Sequence, residues 1–198
     1  MASRILAFAA AMGTLAASGT VRAEETLGTF RLDGLSFVSF GDQQFLFPES
    51  GATIVFRFGT PNEDGSVPFE IHPADVSIAP IPLPSGQGTL RYSLVATAFG
   101  FVRPTEDGRR IEFNAAVAAT LDAPEGSGSY TYTVPFTTET AAASNAQRTD
   151  SVAVSGMRLV DGVWYAQIVG ATTNQENAFP EPGAAVYTVL SGSFDQVP

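Results

Sequence analysis

From Arg109 to Leu121 the chain reads RRIEFNAAVAATL, and from Ile111 onward every second side chain is apolar. Ile111, Phe113, Ala115, Val117, Ala119 and Leu121 fall on one face, and Glu112, Asn114, Ala116, Ala118 and Thr120 on the other. A period of two marks a half-buried strand. Alanine favours helix, but the i, i+2 spacing and the Asp107-Gly108 pair ahead of the run specify a strand that leaves a tight turn. Thr89 to Val102 (TLRYSLVATAFGFV) stands before that turn and supplies a partner of matching length. The two are expected to form a long hairpin with Phe113 and Val117 inward.

The same turn chemistry recurs at Asp33-Gly34, Asp64-Gly65 and Asp161-Gly162. Asp161-Gly162 lies between Ser151–Val160 and Val163–Ala171 and predicts a second hairpin. Further strands are expected at Thr29–Leu32, Leu35–Phe40, Gln44–Phe47, Thr53–Phe58, Phe69–Ile71, Asp75–Ile78, Tyr130–Phe136 and Ala184–Phe194. Ala79–Pro84 (APIPLP) is expected to be extended and unable to donate into a sheet. Glu139–Asp150 reads as a short surface helix or a loose loop, and Asn174–Gly183 as a long loop before the last strand. The count of about ten to twelve strands predicts an all-β chain. The expected architecture is a single antiparallel β-sandwich of jelly-roll or immunoglobulin-like type, with a closed β-barrel as the alternative.

The first 23 residues are set apart from this pattern. Arg4 precedes an uncharged apolar run, Ile5–Ala17, which is followed by the small-residue stretch Ser18–Ala23. That order is the layout of a secretory signal peptide, with Val21 and Ala23 three and one residues before a cleavage at Glu24. The expectation is an exported protein, periplasmic or extracellular, whose single β-rich domain runs from residue 24 to 198. No later stretch is long and apolar enough for a transmembrane helix. The chain contains no cysteine, so the exported domain must hold together by packing alone.

Twenty acidic side chains stand against ten arginines and no lysine, and loss of Arg4 and Arg22 takes the net charge of −10 two units lower. Such a surface repels nucleic acid and anionic lipid. It favours cations or basic surfaces as partners. Schiff-base chemistry is excluded without lysine, and thiol chemistry without cysteine. No Gly-x-Ser-x-Gly elbow occurs. The single histidine, His72, follows a strand and precedes a proline, a structural setting that offers a transition metal one ligand where it needs several. Calcium is the one metal with any sequence support, in Asn62-Glu63-Asp64-Gly65, which lacks EF-hand spacing. The acids Glu63, Asp64, Glu106, Asp107, Asp122 and Glu125 sit beside turn residues and have a local reason to be there.

Trp164 and Tyr165 are the candidate binding residues, as an aromatic platform for a sugar or a protein. Neighbours in a strand face opposite ways, so one of the two belongs to the core, and Trp164 is the expected one. Tyr130, Tyr132, Val134 and Phe136 share a second face that reads as core, with Thr131, Thr133 and Thr137 opposite. These residues predict a non-catalytic domain with a binding or structural role and a protein or carbohydrate partner. Three other readings compete. They are a barrel that carries a small apolar ligand or lipid, a carbohydrate-active enzyme with paired carboxylates, and an eight-stranded outer-membrane barrel.

Overall fold

The computed structural model describes residues 25–48, 51–83, 86–106, 108–124, 126–138, 156–175, 177, 179 and 181–198. Among them the chain forms fourteen strands. The first seven are β1 (Thr26–Leu32), β2 (Phe37–Phe40), β3 (Gln43–Leu46), β4 (Thr53–Phe58), β5 (Val67–Ile71), β6 (Val76–Ser77) and β7 (Ile81–Pro82). Then come β8 (Thr89–Leu94), β9 (Ala98–Thr105), β10 (Gly108–Ala123), β11 (Gly126–Thr137), β12 (Met157–Val160), β13 (Val163–Thr173) and β14 (Ala185–Phe194). The 3-10 turn Pro73–Asp75 joins β5 to β6. The Glu139–Asp150 segment and residues 151–155 of the expected Ser151–Val160 strand lie outside the described residues.

All pairings are antiparallel, and eight strands close into a ring in the order β10, β9, β5, β4, β1, β14, β13, β11 and back to β10. Of the two architectures that the sequence left open, the ring realises the closed barrel. Its longest stave, β10, has the register read from its alternation: Ile111, Phe113, Ala115, Val117 and Ala119 are buried. One flank of β10 pairs β11 from Glu112 to Ala123, while the other pairs β9 from Gly108 to Asn114 and β8 from Val117 to Asp122.

The expected single strand Thr89–Val102 is thus two strands. Asn114 opposes Phe99 and Val117 opposes Leu94, so three steps along β10 match five along its partner. Two extra residues bulge out around Val95–Thr97, where Val95 N donates to Ala116 O at 2.8 Å. The shift is even, so Leu90, Tyr92, Ala98 and Val102 all stay buried. Ala79–Pro84 also needs correction. Pro84 lies outside the described residues, and Ile81–Pro82 is a strand: Ile81 has an N–H and pairs Leu90, with its side chain buried.

The bulge divides the molecule into two levels. Below it the ring is closed and filled with phenylalanine. Phe56 lies 5.0 Å from Phe69 and from Phe194, and about 6 Å from Phe30, Phe58 and Phe113, between ring centroids. Phe113 stacks on Phe136 at 4.7 Å, and Phe136 covers Gly170 of β13 at the narrow β11–β13 seam. Arg109 caps the lower end over Trp164, 5.3 Å from the ring. Above the bulge the wall separates into two facing sheets, β3–β2–β14–β13 and β7–β8–β10–β11. They meet through Phe40 and Tyr132 (5.8 Å), Phe47 and Tyr92 (5.7 Å), and a buried hydrogen bond of 2.6 Å between the Tyr92 hydroxyl and Thr188 Oγ1. Burial pushes the Tyr92 phenol well above its ordinary pKa.

Turns fix the register. Val160 pairs Val163 across Asp161 (φ 50°) and Gly162 (φ 83°), a two-residue turn with both central residues in the left-handed region. At Asp33 the side chain accepts from Leu35 N and Ser191 Oγ, both at 2.9 Å, and ties the β1–β2 turn to β14.

On the outer wall Arg57 makes two bonds to Asp75, at 2.5 and 2.8 Å. This guanidinium holds the Asp75 carboxyl below the usual range. A depressed folded pKa adds stability above the unfolded value of about 4 and loses it as pH falls through the folded value. Stability is therefore expected to drop from about pH 5 towards pH 2, and Asp75→Asn to lower stability at pH 7 while flattening that acid slope. Urea melts across this range check it. An unchanged slope in Asp75→Asn contradicts the assignment.

Candidate functional site

Among the described residues the two facing sheets end at β3 on one side and at β7 on the other. Between them a cleft of about 750 Å³ opens at the mouth of the molecule. Gln43, Gln44 and Phe45 of β3 form one bank. Leu83, Gly86 and Gln87, around the β7–β8 connection, form the other, with Leu121 and Ala123 at the end of β10. Phe179 closes the base.

Each wall has a local cause. The β2–β3 hairpin turns at Gly41 (φ 58°) and pairs Phe40 with Gln43. Phe45 therefore turns towards the Phe40 ring, 6.1 Å away, while Gln43 and Gln44 remain exposed. Phe179 is held by the loop that the sequence marked only as long. Asn174 is buried, and its Nδ2 donates to Asn177 O (2.9 Å) and Glu181 O (3.2 Å) while its Oδ1 accepts from Asn177 N (3.0 Å). Asn177 Nδ2 reaches Thr131 O at 3.0 Å, and the Tyr132 hydroxyl donates to Phe179 O. Burial pushes that phenol up to about 12. Phe179 is thereby set between Phe40 (5.3 Å) and Tyr130 (5.5 Å). Asn177 and Phe179 are thus tied to β11 through Thr131 and Tyr132.

The residues named around this cleft carry no ionisable side chain. Three carboxamides offer donors and acceptors, and Phe45, Leu83, Leu121 and Phe179 offer apolar surface. Such a lining can hold and orient an uncharged ligand. Among the described residues it holds no general acid, base or nucleophile.

Trp164 and Tyr165 lie elsewhere. Trp164 is half-buried at the lower end of the barrel, packed on the core under Arg109, while Tyr165 is 45 % exposed on the outer face. Alternation separates them as expected, and neither lines the cleft. His72 is on the outer wall, its Nε2 2.9 Å from Glu70 Oε2. In the Asn62–Gly65 loop, Asp64 Oδ1 accepts from Ser66 N (2.9 Å) and Ser66 Oγ (2.6 Å), which holds its carboxyl below the usual range. That oxygen serves the turn itself, and among the described residues no three His, Cys, Asp or Glu side chains form a group that could hold a metal ion.

Among the described residues, a pocket of about 40 Å³ walled by Ile54, Tyr92, Val117 and Leu190 among others has room for little more than a water molecule. Charged Arg57, Glu70, Arg103 and Glu112 on the outer wall, around an apolar interior, reverse the arrangement of a lipid-embedded barrel. Among the described residues no helix is long and apolar enough to cross a membrane. No family model, curated protein or solved structure matches the chain.

Proposed function

We propose that the chain is an exported, non-catalytic binding domain, and that its mouth cleft holds a neutral carbohydrate. The observation that carries this reading is the cleft lining: three glutamines around Phe45, Leu83, Leu121 and Phe179. Carboxamides suit sugar hydroxyls, which both donate and accept, and aromatic and aliphatic groups suit the C–H faces of a pyranose. The cleft falls within the volume range of small-molecule sites. The leader-like order of Arg4, Ile5–Ala17 and Ser18–Ala23 supports export.

The test is a titration of isotope-labelled protein with cellohexaose, maltohexaose and chitohexaose, read by amide chemical shifts. One of them is expected to move Gln43–Phe45, Gln87 and Phe179. Gln44→Ala and Gln87→Ala should each weaken it several-fold, since a hydrogen bond contributes about 0.5–1.5 kcal/mol. If no neutral oligosaccharide perturbs the cleft, the carbohydrate reading fails.

A further inference from the structure

Strand β9 inverts the usual distribution of size. Its inward positions are Ala98, Gly100 and Val102, and its outward positions are Phe99, Phe101 and Arg103. The inward side has a packing reason, because a Cβ on Gly100 would lie 2.5 Å from both Phe113 and Phe69. The outward side has none. Phe99 is 63 % exposed and Phe101 38 %, whereas the phenylalanines of the barrel interior are sealed.

The register gathers this face across five strands. Leu27, Arg57, Glu70, Phe99 and Asn114 are successive cross-strand partners from β1 to β10. Pro68, Phe101 and Glu112 form the next row. A groove of about 540 Å³ follows the rows, lined by Arg57, Pro68, Glu70, His72, Phe99 and Phe101. Its positive charges are already engaged. Arg57 holds Asp75 and lies 3.6 Å from Glu25. Arg103 lies 3.2 Å from Glu112 and 3.9 Å from Asp64. Arg110 lies 3.0 Å from Glu112. The carboxylates outnumber these three guanidiniums, and the whole chain is strongly acidic. The Arg103 guanidinium also sits 5.0 Å above the Phe101 ring, so one aromatic of the pair already receives a cation.

We infer that this wall is a second site, separate from the mouth, which docks an extended lysine- or arginine-bearing segment of a partner protein. The partner's cation lies over the exposed Phe99 ring, within reach of Glu70 and Glu25, and its aliphatic stem covers Phe101 and Pro68. Cation–π contact, carboxylate pairing and burial of two exposed rings then act on one side chain. An exposed apolar patch rimmed by charge is the usual mark of a protein contact.

The test uses the full-length exported protein and two fluorescein-labelled nonapeptides of alternating sequence, KVKVKVKVK and EVEVEVEVE, followed by anisotropy and amide shifts. The lysine peptide should bind at least tenfold more tightly than the glutamate peptide and shift Glu70, Phe99 and Phe101. Phe99→Thr with Phe101→Thr preserves charge and strand propensity. It should weaken the lysine peptide about tenfold with the melting temperature unchanged, and Glu70→Gln should weaken it several-fold. Equal binding of the two peptides overturns the inference. So does undiminished binding by the double variant, since net charge alone then accounts for the attraction. Perturbation of this wall by the oligosaccharides instead of the lysine peptide overturns it too.

Discussion

Phe56→Ala is expected to remove about 3–5 kcal/mol of folding stability, the range for truncating a buried phenylalanine. Phe56 is fully buried, and its ring meets aromatic rings from β1, β4, β5, β10 and β14, five of the eight staves. The neighbours cannot collapse into the space without moving strands that are also paired to one another. Domain stabilities run to about 5–15 kcal/mol, and the chain has no disulfide to limit the loss. Phe99→Thr, on the outer wall, should stay within about 0.5 kcal/mol of the parent. Urea melts of the two variants form the comparison, with equal slopes required before midpoints are converted to energies. A loss below about 1 kcal/mol for Phe56→Ala would mean that the interior does not pack on this ring.

Much of the wall was legible before the structure because it follows from local chemistry. The β10 alternation placed Phe113 and Val117 inside, and both are buried. Asp161-Gly162 predicted a two-residue turn, and φ angles of 50° and 83° supply it. Trp164 and Tyr165 divided between core and surface as neighbours in a strand must. Closure was not legible, since alternation names the buried face of a strand and says nothing of its lateral partners. The β11–β13 seam is two residue pairs long, and the β1–β14 seam three. The bulge at Val95–Thr97 escaped for a related reason: a two-residue insertion leaves the parity of Tyr92 and Val102 unchanged. The mouth cleft gave the least signal. Gln43, Gln44 and Gln87 form no motif, and they meet Phe179 only because buried Asn174 ties its loop together. Asn174 and Asn177, three residues apart in a ten-residue loop, are a hint of internal hydrogen bonding that does not indicate where the loop lies.

Closure itself can be tested at Gly192. This residue sits in β14 opposite Leu32 of β1 and Ala166 of β13, where the barrel shuts. A Cβ there would lie 2.0 Å from the Arg31 carbonyl oxygen and 3.2 Å from the Leu32 Cα. Both atoms are backbone, so no side-chain rotation relieves the clash. The strain is released only by drawing β1 away from β14, which breaks the three-pair seam and exposes Phe30 and Phe194 beneath it. Gly192→Ala is therefore expected to cost about 3 kcal/mol, the upper end for overpacking, or more. Amide exchange should quicken selectively at Phe30–Leu32. Gly162→Ala separates this contact effect from a conformational one. Gly162 has φ 83° and open space around its Cα, so its substitution costs only the left-handed penalty of about 1–2 kcal/mol and leaves the seam protected. If Gly192→Ala melts like the parent and Phe30–Leu32 stay protected, β1 and β14 do not approach as described. The ring would then be an open sheet, and the Phe56 cluster would need another wall on that side.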